Sequence, residues 1–122
     1  STATTAINAG FLYAGNGIAY TNVLMENPST GADLVNEPLM RWTKVDLVNK
    51  TATLVQGIPA NVGLTAGMAY NYQGKVQLVV YNPNENISGV YETDIDSDVA
   101  ILKFKAITGG IIYGFYEVAQ QQ

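Results

Sequence analysis

Apolar and polar residues change places at nearly every step in Lys44-Val45-Asp46-Leu47-Val48 and again in Thr51-Ala52-Thr53-Leu54-Val55. A period of two is what a half-buried β-strand requires, because successive side chains point to opposite faces. Leu78-Val79-Val80-Tyr81 and Ile111-Ile112-Tyr113 are instead continuous apolar runs, which suit strands covered on both faces. No 3.6-residue apolar period persists for three turns, and residues 30–40 have room for one short helical turn. The pattern predicts strands over roughly residues 6–13, 17–25, 39–47, 51–57, 66–72, 74–81, 89–95, 99–107 and 111–118.

The connections fit hairpins. Gly15-Asn16-Gly17 and Gln73-Gly74 supply the positive-φ positions of tight turns. Val48-Asn49-Lys50 and Asp96-Ser97-Asp98 are turn-prone segments between paired strands. Asn27-Pro28 and Asn82-Pro83 end strands, since proline cannot donate into a continuing ladder.

These elements repeat. Gly10-Phe11-Leu12-Tyr13, followed by Gly17 and a run to Val23, matches Gly67-Met68-Ala69-Tyr70, followed by Gly74 and a run to Val80. Asp46-Leu47 with Ala52 and Leu54 downstream matches Asp94-Ile95 with Ala100 and Leu102, and Gly110-Ile111-Ile112-Tyr113 starts the element again. A repeat of roughly 50 residues marks stacked or radially arranged β units. The first unit has the longer loop, about Asn27 to Pro38 against about Asn82 to Gly89, which explains the unequal offsets of the two half-patterns.

The expected fold is therefore all-β and antiparallel: four-stranded propeller-like blades in about two repeats, with a β-sandwich as the alternative. Residues 1–122 form one domain or domain fragment, with units at about 10–58 and 67–109 and an extra strand at 111–118. A closed propeller needs about four to eight blades, so two leave broad apolar faces open. Either the chain is the C-terminal part of a larger propeller, or its units fold onto each other, or several chains complete the assembly.

Composition narrows the functions. Charged residues make up only 13% and apolar residues 48%, as suits a β-rich protein with polar, uncharged loops rather than a disordered one. The net charge of −4, with six Lys and Arg in all, leaves no basic stripe for nucleic acid. No apolar run approaches the length of a membrane-spanning helix, and no signal-peptide pattern opens the sequence. Zero cysteines remove disulfides, thiol nucleophiles and thiolate metal sites; zero histidines remove the Ser-His-Asp chemistries and the usual general base.

Lys44 to Pro59 looks like the hairpin of many β-propellers, an Asp-containing strand followed by a polar turn, and Gly74-Lys75-Val76 resembles the next blade's opening turn. Tyr91-Glu92-Thr93-Asp94-Ile95 and Gly114-Phe115-Tyr116-Glu117-Val118 resemble the final blade of Bacteroidetes cell-surface lipoproteins of the domain-of-unknown-function 4374 type. The resemblance implies a seven- or eight-bladed propeller outside the outer membrane, beside a TonB-dependent transporter, associated with capture of ferric siderophores. This chain is about a third of that family's length and has no lipid-anchor cysteine, and no ligand-contact residue of the family falls on a matching position.

Candidate chemistry is sparse. Asp94-x-Asp96-x-Asp98 places three carboxylates at alternate positions, but Val99 and Lys105 stand where a calcium-binding EF-hand loop needs Gly and Glu, and a solvated turn explains the cluster. Tyr13, Tyr70 and Tyr113 recur at equivalent repeat positions, which argues for packing. Arg41-Trp42 has no equivalent in the second unit and borders the long loop, which makes it the candidate ligand-binding pair. Glu26, Glu37 and Glu92 have no spacing that identifies glycoside hydrolysis, and Asn49-Lys50-Thr51 and Asn86-Ile87-Ser88 match the short glycosylation acceptor pattern. The sequence thus reads as a non-enzymatic binding or scaffolding module without a cofactor, part of an extracellular or cell-surface propeller that captures a small ligand. Its partners are the remaining blades of a parent chain or other copies of itself. The alternative is a self-assembling subunit of a virus particle or filament.

Overall fold

The computed structural model describes residues 8–24, 39–62, 68–82 and 85–106, and these are all-β. The first sheet is a meander of β1 (Asn8–Gly15), β2 (Ile18–Leu24), β3 (Leu39–Asp46) and β4 (Thr51–Leu54), with the two-residue β5 (Asn61–Val62) pairing β3 beyond β4. The second is the meander β6 (Ala69–Tyr72), β7 (Lys75–Asn82), β8 (Ile87–Thr93) and β9 (Ile101–Lys105), and all neighbours in both sheets are antiparallel. The two four-stranded units expected from the sequence are therefore the two sheets.

The opening hairpins carry the same turn. Asn16 and Gly17 have φ of 53° and 77°, Gln73 and Gly74 of 51° and 78°. Two successive left-handed residues make the turn whose twist matches a hairpin. The third strands end alike too: Asp46 and Asp94 each accept from the backbone N–H two residues on (Val48, 3.0 Å; Asp96, 2.9 Å), so a short carboxylate closes each turn.

Aligning these turns relates the two sheets residue by residue. Tyr20 pairs Lys44 in the first sheet, and their counterparts Gln77 and Glu92 pair in the second. Directly paired residues share a face. Tyr20 and Trp42 lie in the core between the sheets with Val76, Leu78, Val80 and Tyr91. Gln77, by alternation with Val76 and Leu78, faces away from that core. Equivalent faces therefore point the same way along the stack, so the face of one unit that looks toward its neighbour is, in the other, an outer face. This is front-to-back packing rather than two like faces meeting.

Strand β7 is buried on both faces, with Val76, Gln77, Leu78, Val79 and Val80 all at most 3% exposed, as its continuous apolar run implies. Strands β4 and β9 are the outer strands and are exposed almost throughout. Between β4 and β5 the chain leaves the first sheet and inserts Val55, Ile58 and Ala60 toward the second. Gln56 forms a parallel bridge with Val99: its N–H donates to Asp98 O (2.7 Å) and its carbonyl accepts from Ala100 (2.8 Å).

Some details differ from the expected pattern. Strand β8 begins at Ile87, two residues before the expected start at 89, so Gly89 lies inside the strand rather than at the boundary with the loop. A glycine is needed there because a Cβ would stand 2.6 Å from the Phe104 carbonyl oxygen of β9. Tyr13 and Tyr70 do not share a packing role. The bulge between Tyr13 and Gly15 adds a residue, so Tyr13 pairs Ala19 whereas Tyr70 pairs Gln77, and the two rings point to opposite faces. Tyr13 is exposed and accepts a hydrogen bond from Gly17 N–H at 3.0 Å. Of the expected helical turn in residues 30–40 only Leu39 and Met40 are described, as the start of β3, and the Asn27-Pro28 break, Pro83, Glu26, Glu37, the strand at 111–118, Tyr113 and Tyr116 lie outside the described residues.

Candidate functional site

Trp42 and Arg41 are neighbours on β3, and a strand sends neighbours to opposite faces. Trp42 is 0% exposed between the sheets, where its indole N–H donates to the Val79 carbonyl at 3.0 Å. Arg41 is exposed on the far side of the first sheet. The pair proposed from sequence for ligand contact does not form a common surface: the ring is assigned to the core, and only the guanidinium faces out. Its counterpart in the second unit, Val90, is buried on the opposite face of the second sheet, away from the core that encloses Trp42, so the two positions do not share a packing environment.

Next to Trp42 the same face carries polar links across the interface. Tyr20 donates its hydroxyl to Asp94 O at 3.0 Å. Lys44 reaches over to the β8–β9 connection and donates to Ile95 O (2.7 Å), Ser97 O (3.2 Å) and the Asp98 carboxylate (3.2 Å). Burial first, then the charge of Asp94, pushes the Tyr20 phenol up to about 12. It therefore stays protonated and donating; its contribution is complete below about pH 10, the ordinary tyrosine value, and is lost as pH rises from there through about 12. At the other end of the interface, Asn61 Nδ2 donates to Asn22 Oδ1 (2.8 Å), Asn61 Oδ1 accepts from Tyr81 N–H (3.0 Å), and Asn82 Nδ2 donates to Ala60 O (3.0 Å).

The three aspartates of the acidic cluster do not converge. Asp94 closes its turn and pairs with Lys75 at 2.9 Å, Asp98 pairs with Lys44, and Asp96 is exposed. Among the described residues no three carboxylates group as metal ligands do. The bond from Lys75 holds the Asp94 carboxyl below the usual carboxylate range, and the Asn49 backbone N–H does the same for Asp46. Both groups bind protons less readily folded than unfolded, so their stabilisation is present above the ordinary aspartate value and fades as pH falls below it. The melting temperature is expected to hold through neutral pH and fall below about pH 4. In Asp46→Asn and Asp94→Asn variants, thermal melts across that range should show a shallower fall.

A polar cleft of about 130 Å³ opens beside this turn, lined by Lys75, Glu92, Thr93, Asp94, Ser97, Val99 and Ile101. Small-molecule sites usually enclose about 300–1,000 Å³ of mostly apolar surface. Gln77 lies on the same outer face, almost wholly buried. It donates to Glu92 at 2.8 Å, but its Oε1 has no hydrogen-bond partner. Lys44, Asn61, Gly89 and Gln77 were not singled out from sequence. Lys44 alone left a trace there, as a cation inside an alternating strand one residue pair from the turn aspartate.

Compared with protein-family models, with curated proteins and with solved structures, the chain matches none.

Proposed function

We propose that the chain is a non-enzymatic scaffolding module, a pair of stacked blades whose end faces are completed by further blade units. The observation that carries this reading is the front-to-back stacking of the two sheets. Such packing has no built-in stop, although the outer faces are already covered at their centres, at Ala19, Thr21 and Thr43 on the first sheet and at Gln77, Val79 and Val90 on the second, so a further unit is added along the flanking strands. Of the exposed large apolar side chains, Phe11 and Tyr13 lie on the outer face of the first sheet and Ile101 and Phe104 on that of the second, while Leu47, Val48, Val99 and Leu102 lie in turns or on other faces. Catalysis has less support. The chain has no His or Cys, and Asp46, Asp94 and Asp98 are engaged in turns and ion pairs. Ligand capture by these two units has less support than scaffolding, because Trp42 is enclosed and the polar cleft is small. A surface propeller that holds a small ligand, and a particle or filament built of copies, are both settings for such a scaffold.

Light scattering with far-UV circular dichroism on one sample tests the proposal. The expected result is a β-rich spectrum with a mass at a multiple of 13.1 kDa. A folded, monodisperse monomer across a wide concentration range would show that the two units need nothing further, and the proposal would fail.

A further inference from the structure

We propose that Asn16 is a site of spontaneous modification, where the side-chain amide is lost through a cyclic imide formed with the Gly17 backbone nitrogen. Asn16-Gly17 is the only Asn-Gly pair in the chain. The step needs an asparagine, a backbone N–H directly after it, and room for that nitrogen to reach the side chain. Glycine leaves the approach unobstructed, having no Cβ. Elsewhere Lys50, Val62 and Ile87 follow asparagines and crowd the nitrogen, while the prolines after Asn27 and Asn82 have no N–H to give up. Asn16 is also exposed, so water and base reach it.

The chemistry balances without an oxidant or a reductant. Base takes the Gly17 amide proton, the nitrogen attacks Asn16 Cγ, and the side-chain nitrogen leaves as ammonia. Water then opens the imide ring at one of its two carbonyls. Breaking the new bond between Cγ and nitrogen leaves aspartate at this position. Breaking the original peptide bond leaves isoaspartate, with the main chain routed through Cγ.

The second sheet supplies the control. Gln73 and Gly74 hold φ of 51° and 78°, against 53° and 77° at Asn16 and Gly17, so the two turns share a backbone and differ in side chain. Glutamine is one methylene longer and has to close a larger, slower-forming ring. Of two equivalent turns, only the first is set to convert.

Contacts of Gly17 decide how fast it converts and to what effect. Its N–H donates to the Tyr13 hydroxyl at 3.0 Å, and the nitrogen cannot attack while that bond holds its proton. Tyr13 therefore acts as a brake. The Gly17 carbonyl accepts from Leu47 N–H at 2.8 Å, which ties the β1–β2 turn to the β3–β4 turn. A Cβ on Gly17 would stand 2.7 Å from Val48 Cγ2, so the two turns are tightly packed. Isoaspartate adds a backbone carbon to a two-residue turn held in this way, and either product adds one negative charge to a chain of net −4. The modification loosens the opening hairpin of the first sheet and leaves that of the second intact.

Incubating the full chain in mildly alkaline buffer, followed by ion-exchange chromatography and peptide mass mapping, tests the proposal. The expected result is a more acidic species that maps to Asn16, contains isoaspartate and is absent from Asn16→Gln. Tyr13→Phe changes an exposed position and is expected to keep the wild-type circular dichroism spectrum. It should convert about two- to tenfold faster, the range for freeing one hydrogen bond. Gln73→Asn should gain a second site in the equivalent turn. An Asn16 that stays intact over a time in which the urea-unfolded chain converts would overturn the proposal, and so would acidic species that map only to other asparagines. Equal rates in wild type and Tyr13→Phe would overturn the brake alone. The wild-type measurement stands even if a variant loses its fold.

Discussion

Replacing Trp42 by alanine is expected to cost about 3–5 kcal/mol of folding stability, the range for deleting a large aromatic from a closed core. The indole is wholly enclosed, and it joins Tyr20 of its own sheet to Val76, Leu78 and Val80 of the other. Its removal leaves a void at the contact between the sheets and also deprives the Val79 carbonyl of its donor. Trp42→Phe separates the two effects. Most of the volume remains while the carbonyl stays unpaired, and the expected loss is about 1–3 kcal/mol. Urea titrations followed by far-UV circular dichroism measure both, since the only tryptophan is absent from each variant. If Trp42→Ala unfolded at the wild-type midpoint, the placement of the ring in the core would be wrong.

The second large effect is expected at Asn61. Its side chain is fully buried and works in both directions, donating to Asn22 Oδ1 and accepting from the Tyr81 backbone. Asn61→Leu keeps a similar volume but strands the Tyr81 N–H and withdraws one donor from Asn22. A buried group without a partner costs about 1–3 kcal/mol, so losing both bonds should lower stability by about 2–4 kcal/mol. Asn61→Asp restores the acceptor but removes the donor and buries a carboxylate. Its stability should therefore improve as pH is lowered toward the point where that carboxyl is protonated, opposite to the trend from Asp46 and Asp94. Thermal melts of the three proteins between pH 4 and neutrality test the pair of statements. A leucine variant as stable as wild type would remove Asn61 from the interface.

The all-β class and the four-strand order of each unit were legible because they rest on local signals: alternation, paired left-handed turns, and an aspartate closing each third strand. The packing of Trp42 was not legible. A tryptophan beside an arginine at a loop edge reads equally as a surface pair or as a core residue with an outward neighbour. What decides is the face that meets the other sheet, and that depends on how two units stack rather than on either sequence window. The tyrosine repeat misled for a related reason. A single added residue at the Tyr13–Gly15 bulge reverses the side-chain direction, and no pattern of residue types announces it. Asn61 and Gln56 stayed hidden because their partners lie far along the chain, at Tyr81 and at Asp98 to Ala100.

The excursion between β4 and β5 has a consequence for how the chain is made. Synthesis delivers the first sheet before any of the second exists. At that stage Trp42 and Lys44 have no acceptor, Gln56 has no strand to bridge, and the buried face of Tyr20 is open to water. Each of these groups waits for residues from Val76 to Ala100, so until then the early half of the nascent chain has only its own pairings, the strand ladders from β1 to β5 and the Asn61–Asn22 bond. Closure of distant pairings is slow relative to hairpin formation. During that interval the face that carries Tyr20 and Trp42 stays open to water, and it is covered only when Val76, Leu78, Val80 and Tyr91 arrive to pack against it.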